Sequence, residues 1–193
     1  MKECCSTTKK LSLFALVCAL CLSAAAAFAE NPAVPNFGSP ALITALGQSQ
    51  DANFVNLLAK RKKLNTVYDL HVFNKDVDWS KYKCLFIVLG GSGKGLGAAG
   101  LDMPSELARS NELVEGAKAA GVKVVAFHIG GEDRRGPNSE PFLPYAGMSD
   151  FAVVRTDGNA DGYFNKLCTE KNVPLYLIEK TSELQAVLPE LLK

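Results

Sequence analysis

The chain has 193 residues, 48% of them hydrophobic, with 21 Lys and Arg against 20 Asp and Glu and a formal net charge of +1. That length can bury a core without covalent staples, and the near balance of charge argues against nucleic acid or an anionic membrane surface as the main partner. Beyond the N-terminal Cys4, Cys5, Cys18 and Cys21, only Cys84 and Cys168 remain. Those are too few for a disulfide scaffold or a cysteine metal site. The two histidines, His71 and His128, stand too far apart in sequence for ligand spacing, so no metal is indicated and no cofactor is named by the sequence.

Lys9 and Lys10 precede an apolar stretch from Leu11 to Leu22, and Ala27, Phe28 and Ala29 form a small-x-small triplet. This pattern predicts a signal peptide over residues 1–29, cleaved near Ala29, and an exported product, periplasmic or secreted. A retained anchor is disfavoured because the apolar run is short and is followed by Asn31, Pro32 and Pro35 rather than basic residues, so no stable membrane insertion is expected after cleavage. Val17 and Leu20 are too bulky to precede a lipidated cysteine. Residues 30–39 read as a linker and 40–193 as one domain.

Within that domain apolar runs alternate with segments of helical period. Strands are expected over Ala41 to Leu46, Thr66 to Phe73, Cys84 to Leu89, Val122 to Ile129, Phe151 to Arg155 and Leu175 to Ile178. Several are almost wholly apolar, which suits a parallel sheet covered on both faces. Helical stripes are expected from Phe54, Leu57, Leu58 and Leu64, from Leu107, Val114 and Ala117, from Phe164, Leu167 and Cys168, and from Leu184, Val187, Leu188, Leu191 and Leu192. The prediction is an open, doubly wound α/β sheet of five or six mostly parallel strands, flavodoxin-like or Rossmann-like. The connection from Asn74 to Lys83 is short, with Trp79 and Tyr82 as its bulky anchors, and reads as a single helical turn or irregular chain. Cys84 and Cys168 are expected as small buried hydrophobes, with a disulfide left open by export.

Ligands of such sheets bind beyond the carboxyl ends of the strands where the winding reverses, between the first and third strands. The first strand leads into Gly47, Gln48 and Ser49, and the third into Gly90, Gly91, Ser92, Gly93, Lys94, Gly95, Leu96 and Gly97. Glycine lets backbone N–H groups approach an anion and Lys94 adds a cation, so a small anionic ligand is the expected partner. The competing reading is a structural glycine turn with Ser49 capping the next helix.

The named motifs fail. Lys94 is followed by Gly95 rather than Ser or Thr, against a nucleotide-binding P-loop. Gly95, Gly97 and Gly100 match dinucleotide spacing but begin too far after their strand. Around Ser92 the spacing lacks the second glycine of a nucleophile elbow.

The fourth strand runs into His128, then Glu132, Asp133, Arg134 and Arg135. One reading pairs His128 as general base with Ser92, the arginines clamping a carboxylate or phosphate. The other makes His128 a strand-end residue bonded to backbone, with the arginines paired to Glu132 and Asp133. Residues 157–162 read as turn and cap chemistry. Residues 136–147, with three prolines, read as a lid or a rigid surface loop.

The Pro40–Thr44 run with Gly47-Gln48-Ser49, the Gly90–Gly100 loop, and His128-Ile129-Gly130-Gly131-Glu132 before Arg134-Arg135-Gly136 resemble a secreted bacterial family catalogued as domain of unknown function 6305. The resemblance implies no reaction and no catalytic residue. Two functions therefore stand. One is a periplasmic binding module for a small anion, serving an inner-membrane transporter or sensor. The other is a small hydrolase or transferase using Ser92 and His128.

Overall fold

The computed structural model describes residues 31–193, and the expected signal peptide lies outside the described residues. The sheet has six strands, β1 (Ala41–Leu46), β2 (Thr66–Tyr68), β3 (Cys84–Leu89), β4 (Lys123–His128), β5 (Phe151–Arg155) and β6 (Leu175–Ile178). Their order is β2-β1-β3-β4-β5-β6, and every pairing is parallel. Every residue of β1 and β3 is buried, as expected for central strands covered on both faces.

The helices are α1 (Asp51–Arg61), α2 (Gly93–Ala98), α3 (Met103–Ala119), α4 (Tyr163–Lys171) and α5 (Leu184–Leu191). On one face α1 and α5 pack on Ile43, Phe86, Val125, Phe127 and Val153. On the other, α3 and α4 pack on Leu85, Ile87, Val124, Ala126 and Val154. The chain thus winds one way after β1 and the other way after β3, which is the expected doubly wound topology. The start of α3 is set locally, since the Asp102 carboxylate accepts the Ser105 N–H at 2.9 Å and proline occupies the first turn.

Several expectations change. The second strand ends at Tyr68 rather than Phe73, because the Asp69 carboxylate accepts the His71 N–H at 2.9 Å and turns the chain. The connection to β3 holds two short 3-10 turns, Asn74–Asp76 and Trp79–Lys81, anchored where Trp79 donates to Asn74 at 2.8 Å. On α1 the buried stripe is Ala52, Val55, Leu58 and Ala59, whereas Phe54 and Leu57 remain 41% and 43% exposed. The segment expected as a lid or surface loop contains a 3-10 helix, Glu140–Met148, that buries Phe142, Leu143, Tyr145 and Ala146 in the α3/α4-side core. It is a wall of the fold. Residues 31–39 are also part of the packing: the Asn31 amide exchanges hydrogen bonds of 2.8 and 2.7 Å with the backbone of Leu177, and the Phe37 N–H donates to Leu191 at 2.9 Å. Asn31 so covers part of the free edge of β6. Cys84 and Cys168 are buried free thiols, pushed up to about 12 and about 11 by burial.

The α3 face also buries an ion pair. Glu106 and Arg109 meet at 2.7 Å, and Arg109 donates to the carbonyls of Ala45 at 2.6 Å and Val72 at 2.7 Å. Removing one member leaves the other as an uncompensated buried charge. Glu106→Gln is expected to cost about 3–5 kcal/mol, seen as a lower urea midpoint, and Arg109→Met added to it should recover part of the loss.

Candidate functional site

The loops at the carboxyl ends of the strands meet, but their backbone groups are largely spent on one another. The Gly47 N–H donates to Glu106 at 2.8 Å, Gly90 to Leu46 at 3.1 Å, Gly91 to the Ser139 hydroxyl at 2.9 Å, and Ser92 to Gly47 at 2.8 Å. Gln48 and Gly91 form a lone antiparallel bridge. A Cβ on Gly91 would stand 1.7 Å from the Asn138 carbonyl oxygen, and one on Gly95 2.2 Å from that of Gln48. These two glycines serve backbone-to-backbone packing. Gly93 and Lys94 are exposed at the start of α2, and Lys94 has no ion-pair partner among the described residues.

Gln48 and Ser49 expose none of their surface. The Gln48 amide nitrogen donates to both Glu106 oxygens at 3.1 Å, while its oxygen meets His71 Nδ1 at 2.5 Å. Ser49 Oγ accepts the Asp51 N–H at 3.1 Å in a local turn one residue before the helix; the N-cap is Gln50 and carries no side-chain cap bond, so Ser49 is not the helix cap weighed from the sequence.

Ser92 and His128 are not joined. Ser92 Oγ accepts the Gly95 N–H at 3.1 Å as the cap of α2. His128 is fully buried, its ring tilted over Phe164 at 5.1 Å, with Nδ1 3.3 Å from the Leu89 carbonyl. The Leu89 carbonyl can only accept, so that bond takes a proton on Nδ1, and the buried Nε2 makes no hydrogen bond of its own. Burial holds the imidazole below its usual range; the Leu89 carbonyl opposes this and the Arg135 charge adds to it.

The arginines also choose partners other than Glu132 and Asp133. Arg135 binds Glu140 at 3.0 Å, Asp161 at 2.9 Å and the Gly158 carbonyl at 2.7 Å, with its guanidinium over Tyr163. It ties loops together, and Glu132 stays exposed. Asp161 also accepts the Tyr163 N–H at 3.1 Å and Asn159 that of Phe164 at 2.9 Å, so residues 157–162 perform the expected turn and cap chemistry. The Arg134 stem packs against Gly90, where an added Cβ would stand 3.5 Å from Arg134 Cδ, and its Nε donates to Asp51 at 2.9 Å.

Arg134 lines a cleft of about 420 Å³ at the carboxyl edge, on the side of the sheet covered by α1 and α5. The other walls are Gln50, Asp51 and Phe54 from the start of α1, Ile129, Gly130 and Asp133 after β4, Arg155 at the end of β5, and Thr181 before α5. Arg155 is paired with Asp157, whose carboxyl it holds at about 2, and Asp157 in turn raises the Arg155 guanidinium. Among the sequence candidates only Arg134 lines this cleft. Phe54, Asp133 and Arg155 were not selected, although a charge ending the apolar run of β5 at its carboxyl end and an aromatic side chain in the first turn of α1 were visible signals. No cluster of potential metal ligands occurs among the described residues.

Residues 38–192 match the family model described as a domain of unknown function (DUF6305). The chain belongs to this family. No curated protein and no solved structure gives a match. The DUF6305 domain is therefore described by its own sheet and edge, and no helix among its described residues is long and apolar enough to cross a membrane.

Gly91→Ala is expected to cost about 3 kcal/mol, because backbone must shift, whereas Gly93→Ala, with nothing within 4 Å of the added carbon, should stay within about 0.5 kcal/mol. Urea unfolding of both variants checks this. For His128 the folded-state pKa lies below its ordinary 6.5, so the unfolded chain takes the proton first. Its contribution is intact above pH 6.5 and is lost as the pH falls through the lower folded value. Unfolding free energies measured from pH 8 to 5 should therefore fall less steeply in His128→Phe than in the parent.

Proposed function

We propose that this DUF6305 domain is a binding module that holds a small, carboxylate-bearing ligand in the cleft beside α1. Arg134 carries the reading. Its Nε is fixed on Asp51, its Nη1 and Nη2 have no protein partner among the described residues, and it lines the cleft. A guanidinium oriented by one carboxylate and open along its other edge suits bidentate capture of a second. The cleft volume falls within the range of small-molecule sites.

The glycine-rich loop supports the site indirectly, by packing Gly90 beneath Arg134, and does not itself supply the donors. The hydrolase alternative draws no support from the geometry, because the Ser92 hydroxyl caps α2 and His128 is buried beneath Phe164 and Arg135. The segment 1–29 adds the proposal that the domain works outside the cytoplasm, presenting its ligand to an inner-membrane transporter or sensor.

Calorimetry of the purified protein with small mono- and dicarboxylates tests the binding. Saturable binding is expected, weakened about tenfold or more by Arg134→Gln and unchanged by Lys94→Ala. If carboxylates bind equally well to Arg134→Gln, or none binds the folded protein, the reading fails.

A further inference from the structure

Resting on that reading, we infer that the ligand of the cleft is a zwitterion: a free α-amino acid with an apolar or aromatic side chain. The charges around the cleft carry this step. Arg134 and Arg155 face three carboxylates, Asp51, Asp133 and Asp157. Arg134 spends its Nε on Asp51, and Arg155 spends Nε and Nη2 on Asp157. Asp133 has no hydrogen-bond partner among the described residues, yet it lies close enough to Arg155 to raise that guanidinium together with Asp51.

A ligand bearing only negative charge enters surroundings with one more carboxylate than guanidinium. Phosphate or sulfate, doubly charged and compact, is the most penalised by that balance. A ligand that brings its own cation reverses the penalty. Its carboxylate takes the open Nη1 and Nη2 edge of Arg134, and its ammonium takes the unpartnered Asp133 carboxylate. A single α-carbon joining the two groups keeps them within reach of neighbouring residues in the Asp133-Arg134 turn.

The third requirement is an apolar one. Phe54 stands in the first turn of α1, off the buried stripe, with 41% of its surface exposed, and lines the cleft with Ile129. An aromatic ring left half in water at the mouth of a cleft gains by being covered, and an aliphatic or aromatic ligand side chain covers it. A guanidinium edge, an open carboxylate and an apolar wall in one cleft are the three contacts that an apolar amino acid makes.

Calorimetry on the full protein with L-phenylalanine, L-leucine, 3-phenylpropanoate, 2-phenylethylamine and L-alanine reads the three contacts separately. L-Phenylalanine or L-leucine is expected to bind, and the compounds lacking the ammonium, the carboxylate or the apolar side chain about tenfold or more weakly. Asp133→Asn should weaken the amino acid tenfold while 3-phenylpropanoate binds at least as tightly as to the parent, since a repelling carboxylate is gone, and Phe54→Ala should weaken L-phenylalanine but not L-alanine; thermal melts check that both variants are folded. If 3-phenylpropanoate binds as tightly as L-phenylalanine, or Asp133→Asn binds both amino acids as well as the parent, the zwitterion inference is overturned while the carboxylate site stands. If neither amino acid nor 3-phenylpropanoate binds the folded protein, both fall together.

Discussion

A carboxylate with none of its surface exposed organises the carboxyl edge of this sheet. Glu106 projects from α3 into the α3/α4-side core and accepts the Gly47 N–H, the Gln48 amide and the Arg109 guanidinium. A buried charge is tolerable only when its hydrogen-bonding capacity is filled, and the arginine beside it would be equally costly alone. Their mutual satisfaction fixes the turn after β1, where Gln48 adopts a positive φ of 61°. Through Gln48 the same arrangement reaches His71 and, by backbone contact, the glycine-rich loop.

That rigid turn has a consequence for the neighbouring loops. Once Gln48 is held, Gly91 and Gly95 press against it and against the Asn138–Ser139 segment, and most of the N–H groups around the winding reversal find partners inside the protein. The place where a ligand is expected on topological grounds is filled by the chain's own backbone. Open volume is instead found on the α1 side, where Gly130 has no side chain to separate Asp51 from Arg134. Phe54 is the visible trace of this displacement: its spacing fits a helix stripe, yet α1 is rotated so that Val55 and Ala59 face the core and Phe54 faces the cleft.

Much of the fold was legible because burial on both faces leaves a strong mark in sequence. Val124 to Phe127 and Phe151 to Val154 are runs without polar alternation, as strands buried on both faces of a parallel sheet require. The end of β2 was less legible, since Leu70, Val72 and Phe73 continue the apolar content and only the Asp69 turn breaks the strand. The prolines of residues 137–144 suggested an outer loop, while the 3-10 helix they enter buries Phe142 and Tyr145. On α3, Glu106 and Arg109 fall at helical spacing with Leu113 and Ala117, a sign that charge sits on the buried face, but composition treats such residues as surface.

The sequence by itself determined the strand–helix alternation, the mostly parallel direction of the strands and the loops that follow them, because hydrophobic period and chain connectivity are local properties, whereas the strand order between the flavodoxin-like and Rossmann-like alternatives was decided by the tertiary structure. It also carries the family to which residues 38–192 belong. Tertiary structure alone decided which polar groups at that edge are spent and which are open. Ser92, His128 and Arg135 resemble a site in one dimension but are consumed by a cap, a core and a loop brace. Arg134 and Asp133 share the turn after β4 while Phe54 comes from a distant segment, and they become one cleft only when α1 packs against β1 and β3. A side chain's availability depends on what lies across from it in space, and sequence order does not encode that distance.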